Sequence, residues 1–259
     1  MPQPSSDTPA RQIASQTLFR GLDVVSAVAE GCRTVREISE RTGVTFSTTH
    51  RLASALVQIR YLQFEPRKGY RLGSRLMELG FLAYRESAVT TVARADLQAL
   101  AARTLDTVHL AVLDGDAVVY LDKIGGQRPI EVSTRIGGRK PVCSTSVGKA
   151  LILDEGAPAW RARYEAERAS LGRASSIALD PWLADMAVYA REGYALDLAE
   201  NIPGILCVGA PVRDASGTVV AAISVTSTDA YSDEARLREL APAVRAAARD
   251  ISSRLGAAG

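Results

Sequence analysis

The chain has 259 residues, 47% hydrophobic and 23% charged, which are the proportions of a globular protein and exclude a chain too polar to bury a core. No apolar run approaches the ~20 residues that a bilayer-spanning helix needs. Three scattered cysteines, Cys32, Cys143 and Cys207, do not make a disulfide framework and read as free thiols in or near the core. The formal charge of +2 is unevenly shared: residues 1–85 carry twelve Lys/Arg against seven Asp/Glu, a net +5, and the remainder nets −3. That asymmetry points to a polyanion partner for the N-terminal third.

Residues 1–14 are polar and Pro-rich, lack the apolar stretch of a secretory signal and read as a disordered arm, so a cytoplasmic location is expected. From 16 to 30, Leu18, Leu22, Val25 and Val28 or Ala29 recur at helical steps and predict one buried stripe, ended by Gly31. The stretch Thr34-Val35-Arg36-Glu37 is a capping-box pattern opening a second helix that turns Val35 and Ile38 inward and stops at Gly43. Thr45 or Ser47 then caps a third helix to about residue 58, with Thr49, Leu52, Ala53 and Leu56 inward. Two helices across a tight Gly-containing turn are the spacing of a helix-turn-helix, whose second helix presents its first residues to base edges. Off the inner stripe stand Phe46, Ser47, Thr48, His50, Arg51 and Ser54. Their hydroxyls, imidazole and guanidinium suit phosphates and base edges. Arg51 is the chief candidate for a guanine contact, its rival role being a surface ion pair with an acidic neighbour. Two alternating segments around Pro66-Arg67-Lys68-Gly69 predict a hairpin whose tip carries Arg67 and Lys68, a wing for phosphate or minor groove. We therefore place a winged helix-turn-helix at 15–75.

A helical stripe through Leu76, Leu79 and Phe81 or Leu82 predicts a linker helix at 76–88 that aids dimerisation. The larger domain, 89–259, opens on a helix at about 89–103. The period then falls to two: strands at 108–113 and 117–123 flank the hairpin turn Asp114-Gly115-Asp116, and 130–135 reads as a third strand. Helices are expected at 145–153, 157–168 and 181–191, strands at 194–198, 206–213 and 219–226, and a final helix at 233–255. This is an α+β domain with an antiparallel-dominated sheet.

Within it, Ser144, Thr145 and Ser146 precede a helix, an arrangement suited to an anion. Lys149 invites a P-loop reading, which fails: Cys143 stands where the first Gly belongs and Ala150 where the magnesium-ligating hydroxyl belongs. His109, mid-strand among apolar residues, reads as a hydrogen-bonded core residue in preference to a ligand. His109, Cys143, Cys207 and Asp197 show no metal-ligand spacing. No metal or cofactor is expected.

The stretches GVTFSTTHRLASAL, YRLGSRLMELG, TVHLAVLDGDAVVYLDKI, SVGKALI and GYALDLAENIPGILCVGAPVRD, in this order and spacing, resemble the IclR family of bacterial transcription regulators, from about residue 16 to 255. The resemblance implies a winged helix-turn-helix, a linker helix and a GAF-like effector-binding domain. It assigns Ser47, Thr48, His50 and Arg51 to the recognition helix, with two departures: Phe46 where Lys is common and Thr49 where an apolar residue is common. It also implies a small carboxylate effector held by Ser146 and Val147 in the loop and by Asp197, Cys207, Ser224 and Thr226 on later strands. Cys207 has core packing as its alternative, Asp197 a turn or surface role, and Glu200 and Asn201 are rivals for the polar role. Ser224 and Thr226, two apart, share one strand face.

The expectation is a non-enzymatic repressor of a catabolic operon, bound as a homodimer or homotetramer to double-stranded operator DNA. Its effector is a small organic acid, by resemblance a sugar acid of the 2-keto-3-deoxygluconate type. The alternatives are an aromatic-acid sensor acting as an activator and an enzyme with Cys207 as nucleophile and His109 as base; against the enzyme, nothing near Cys207 supplies an activating helix N-terminus.

Overall fold

The computed structural model describes residues 15–86, 88–130, 132–171 and 177–257; the expected N-terminal arm lies outside them. The chain divides into two compact units, Met1–Ala83 and Tyr84–Gly259.

In the first unit α1 (Gln16–Ala29), α2 (Val35–Thr42) and α3 (Phe46–Gln58) pack around Val24, Ala27, Val28, Ile38 and Ala53, with Leu62 and Tyr70 from a hairpin of β1 (Leu62–Glu65) and β2 (Gly69–Leu72). The capping box forms: Thr34 Oγ1 accepts from Glu37 N at 3.2 Å and Glu37 Oε2 accepts from Thr34 N at 3.0 Å. Gly43, at φ 69°, takes the left-handed turn between α2 and α3 without a Cβ penalty. One expectation needs correction. Leu18 and Leu22 of α1 are 58% and 47% exposed, and the buried face is Gly21, Val24, Ala27 and Val28. The helix carries two apolar stripes. The stripe through Val24, Ala27 and Val28 is the one that packs with Ile38 of α2 and Ala53 of α3.

α4 (Ser74–Glu86) and α5 (Ala88–Thr104) follow. The second unit is built on a six-stranded sheet in the order β5-β4-β3-β8-β7-β6, every neighbouring pair antiparallel. Its strands are β3 (Thr107–Asp114), β4 (Ala117–Ile124), β5 (Arg139–Pro141), β6 (Ala195–Leu198), β7 (Ile205–Arg213) and β8 (Val219–Thr228). Between them come α6 (Ser146–Leu151), α7 (Ala157–Leu171) and α8 (Leu179–Glu192), and α9 (Glu234–Arg254) closes the unit. Asp233 caps α9, accepting from Arg236 N at 2.8 Å. Alternation along β7 turns Val208, Ala210 and Val212 into the apolar core, where α9 runs along the strand.

The strand expected at 130–135 is absent: residues 132–135 lie outside any ladder, residue 131 falls outside the described ones, and the short edge strand is β5 instead. The backbone there finds other partners. Lys123 Nζ donates to the carbonyls of Val132 and Thr134 at 2.9 and 3.2 Å, and Thr134 N donates to Val132 O at 3.0 Å. A side chain and a tight turn satisfy groups that a strand would have offered to a neighbour.

Candidate functional site

In the first unit the unabsorbed polar residues of α3 fall on two adjacent faces. Ser47 and Arg51 are exposed on one. Phe46, His50, Ser54 and Val57, at helical steps, line a groove of about 830 Å3 that is closed on its other side by the hairpin residues Phe64, Arg67 and Lys68. Arg51 and Arg67 take part in no ion pair among the described residues, so the rival surface-pair role for Arg51 finds no partner there. Thr48 is partly occupied, its hydroxyl accepting from Thr45 Oγ1 at 3.0 Å. Thr45, the helix N-cap by position, makes no side-chain cap bond. Lys68 pairs with Glu65 at 2.8 Å, an exposed pair that costs little to exchange for phosphate.

In the second unit the pairing register brings the candidate residues together. Asp197 pairs with Cys207, Cys207 with Thr226 and Thr226 with Thr107, forming one rung across β6, β7, β8 and β3. The next rung on the same face is Gly209, Ser224 and His109. Residues directly opposite one another on antiparallel strands present their side chains to the same face. The start of α6 lies over that face. A Cβ on Gly209 would stand 2.9 Å from the Ser146 carbonyl and 3.2 Å from Val147 N, so glycine is what lets the loop sit against β7.

Electrostatics keep this face almost neutral. Cys207 is buried, burial pushes its thiol far up, and the Thr226 and Ser146 hydroxyls are its hydrogen-bonding neighbours. A thiol so held is no nucleophile. Burial lowers His109 to about 3, with Lys123 and Lys140 adding to the effect, so its imidazole is neutral at physiological pH. The ring reaches Thr134 Oγ1 through Nε2 at 2.7 Å and Thr226 Oγ1 through Nδ1 at 3.3 Å, and stacks on Tyr120 with centroids 4.6 Å apart. Burial also raises the Asp197 carboxyl to about 7, against the pull of Lys149. Its Oδ1 accepts from Glu200 N at 2.9 Å. Lys149, expected from sequence only as a failed P-loop residue, is a buried cation paired with Glu200 and set 5.6 Å from the Tyr189 ring.

The loop before α6 differs from its expected role. Thr145 caps the helix: its hydroxyl accepts from Gly148 N at 3.1 Å and donates to Pro141 O at 2.7 Å, so the side chain is spent. The amides of Val142 and Cys143 donate to Glu167 Oε2 at 2.7 and 2.9 Å. The chain's own carboxylate thus occupies part of the anion cradle. α6 itself is six residues, buried throughout and too short to add much dipole. Ser144 is buried beside the cap. Thr107, Tyr120, Thr134 and Gly209 were not among the residues expected at this face, whereas His109 is, as expected, a buried hydrogen-bonded residue. Only Gly209 carried a local signal, a glycine inside an otherwise apolar strand.

Comparison with known proteins agrees with this architecture. Residues 17–66 match the model of the IclR helix-turn-helix domain, and residues 82–253 match that of the bacterial transcriptional regulator IclR C-terminal domain. The chain is 32% identical to the HTH-type transcriptional regulator XynR of Escherichia coli K12, over 93% of this chain and 97% of that protein. It is 31% identical to the HTH-type transcriptional regulator KdgR of the same strain, over 86% and 85%. Among solved structures, the Thermotoga maritima IclR superposes with a TM-score of 0.73 at 25% identity, covering 93% of this chain and 98% of that one. An IclR homologue from Microbacterium hydrocarbonoxydans complexed with 4-hydroxybenzoate shares the fold, with a TM-score of 0.76 at 24% identity over 92% and 98%.

Proposed function

The chain belongs to the IclR family of DNA-binding transcriptional regulators, and from that premise we propose that it is a cytoplasmic repressor of a catabolic operon, released by a small polar carboxylate of the sugar-acid class. The observation that carries the effector assignment is the pair of rungs. Ser224, Thr226 and Asp197 share one face with a neutral His109 beneath the Ser146–Val147 start of α6, a set of hydroxyl, carboxyl and imidazole groups matched to a ligand with several hydroxyls. Tyr120, the aromatic side chain at these rungs, is stacked on His109. Operator binding falls to α3, through Ser47, Thr48, His50, Arg51 and Ser54, with Arg67 and Lys68 of the wing on phosphate. Two copies on two half-sites supply the affinity that one small unit lacks. The exposed stripe of Leu18, Phe19 and Leu22 on α1 is a surface suited to such a homo-oligomer.

A second reading, an aromatic acid as effector, draws on the 4-hydroxybenzoate complex of the Microbacterium homologue. One experiment separates the two: thermal shift of the purified protein against gluconate, glucuronate, pyruvate and 4-hydroxybenzoate. A cognate acid at a hundred times its Kd stabilises by about 2.7 kcal/mol. A shift with a hydroxylated aliphatic acid, lost in Ser224→Ala, supports the sugar-acid reading. A shift with 4-hydroxybenzoate alone replaces it, and no shift with any acid removes the effector assignment.

A further inference from the structure

The groove between α3 and the wing has a chemistry that phosphate binding does not use. Its walls include Arg33, Arg36, Arg67 and Lys68 and no Asp or Glu. Arg36 and Lys68 also pair with Glu40 and Glu65, but these are exposed pairs that a phosphate displaces at little cost. Charge of one sign concentrated in a concave surface fits a nucleic-acid strand. Set into this basic rim are two phenylalanines, Phe46 and Phe64, 59% and 52% exposed. Phe64 has a structural reason to be there: it is the cross-strand partner of Tyr70, ring centroids 4.9 Å apart. Phe46 has none. It belongs to no buried cluster and no ring pair among the described residues. It is the first residue of α3, and the first residues of a recognition helix are those that reach base edges. A large apolar side chain held in water gains by meeting an apolar surface. In the major groove of duplex DNA that surface is the 5-methyl group of thymine, a known contact of phenylalanine.

We propose that Phe46 is a specificity-determining residue that reads a thymine in each half-site through its 5-methyl group, while the cations of the groove hold the adjoining phosphates. The inference rests on α3 being the helix that enters the major groove, and it adds a base preference that the polar residues of α3 do not supply.

The experiment uses the full-length protein and a duplex selected for binding from a randomised 30-base-pair pool. Each thymine of the selected duplex is replaced in turn by deoxyuridine, which removes the methyl group and leaves every hydrogen-bonding edge unchanged. Losing one buried methyl corresponds to roughly a fourfold weaker Kd, and losing it in both half-sites to roughly fourteenfold. Wild type is expected to show that loss at one position per half-site. Phe46→Ala is expected to bind thymine and uracil duplexes alike at that position, and Phe46→Leu, still apolar, to keep part of the preference. Equal thymine-to-uracil ratios in wild type and Phe46→Ala, or no sensitive thymine at all, overturn the inference while leaving operator binding by α3 intact. Failure of the wild-type protein to select any sequence, or undiminished binding by Arg51→Ala, removes the recognition-helix reading itself and the inference with it. Phe46 is exposed, so the variants are expected to melt with the parent; a lowered Tm in Phe46→Ala with unchanged base preference assigns the residue to folding and also overturns the inference.

Discussion

Lys149 and Glu200 form an ion pair whose side chains are 1% and 2% exposed, joining the fully buried α6 to the turn after β6. Breaking such a pair on one side leaves an uncompensated buried charge. Glu200→Gln is therefore expected to cost about 3–5 kcal/mol of unfolding free energy. The double variant with Lys149→Met, which removes both charges, is expected to recover a large part of that loss. Urea denaturation of the two singles and the double gives the coupling directly. A purely additive result would mean that the pair is not what holds the turn.

Gly209 sits where a methyl group meets the Ser146 carbonyl at 2.9 Å. Gly209→Ala is expected to push the start of α6 off the sheet and weaken the binding of the acid found in the thermal-shift screen at least tenfold, with operator affinity in the absence of acid unchanged. Titration calorimetry for the acid and gel-shift titration for the DNA provide the two readouts.

His109 has a pKa of about 3 in the folded chain against an ordinary 6.5, with burial as the main cause. Between those values the unfolded chain binds a proton that the folded chain does not, so stability falls as pH drops from 6.5 towards 3. The loss is at most about 1.4 kcal/mol per pH unit from this group. His109→Gln keeps a donor and an acceptor but does not titrate. Its urea midpoint is expected to fall less steeply than the parent's across that window, and parallel curves would exclude His109 as the source.

Asp197 shifts the other way, to about 7 from 3.8. Its contribution is present below pH 3.8 and is lost as pH rises to 7, because the folded chain holds the proton longer. An anionic effector beside it favours the protonated form, so acid binding takes up a proton and weakens as pH rises through 7. Asp197→Asn is expected to flatten that dependence. Calorimetry in buffers of different ionisation enthalpy counts the proton taken up, and a count of zero at pH 7 would contradict the placement of the carboxylate next to Asp197.

On the DNA side, Arg51→Ala is expected to cost about 1–3 kcal/mol on the selected duplex and little on scrambled DNA, whereas Arg67→Ala weakens both alike and lowers the salt slope by about one. The comparison, run as a salt series, distinguishes a base contact from a phosphate contact.

What the chain determines locally was readable in it. The Thr34–Glu37 box, the Gly43 turn, the inward Thr49 and Ala53 of α3 and the hairpin turn at Gly115 follow from bonds and steric limits within a few residues, which any fold must respect. Which of two apolar stripes on α1 became the core was settled by neighbours instead, since Ile38 of α2 and Ala53 of α3 pack with Val24, Ala27 and Val28. The same holds for the loss of the strand at 130–135, where Lys123 from β4 satisfies the carbonyls of Val132 and Thr134. The family resemblance marked Asp197, Cys207, Ser224 and Thr226, and spacing added only that Ser224 and Thr226 share a face; His109 and Thr107 joined them through the register of β3 on β8. Register is fixed by contacts between residues more than a hundred positions apart, and no local pattern encodes it.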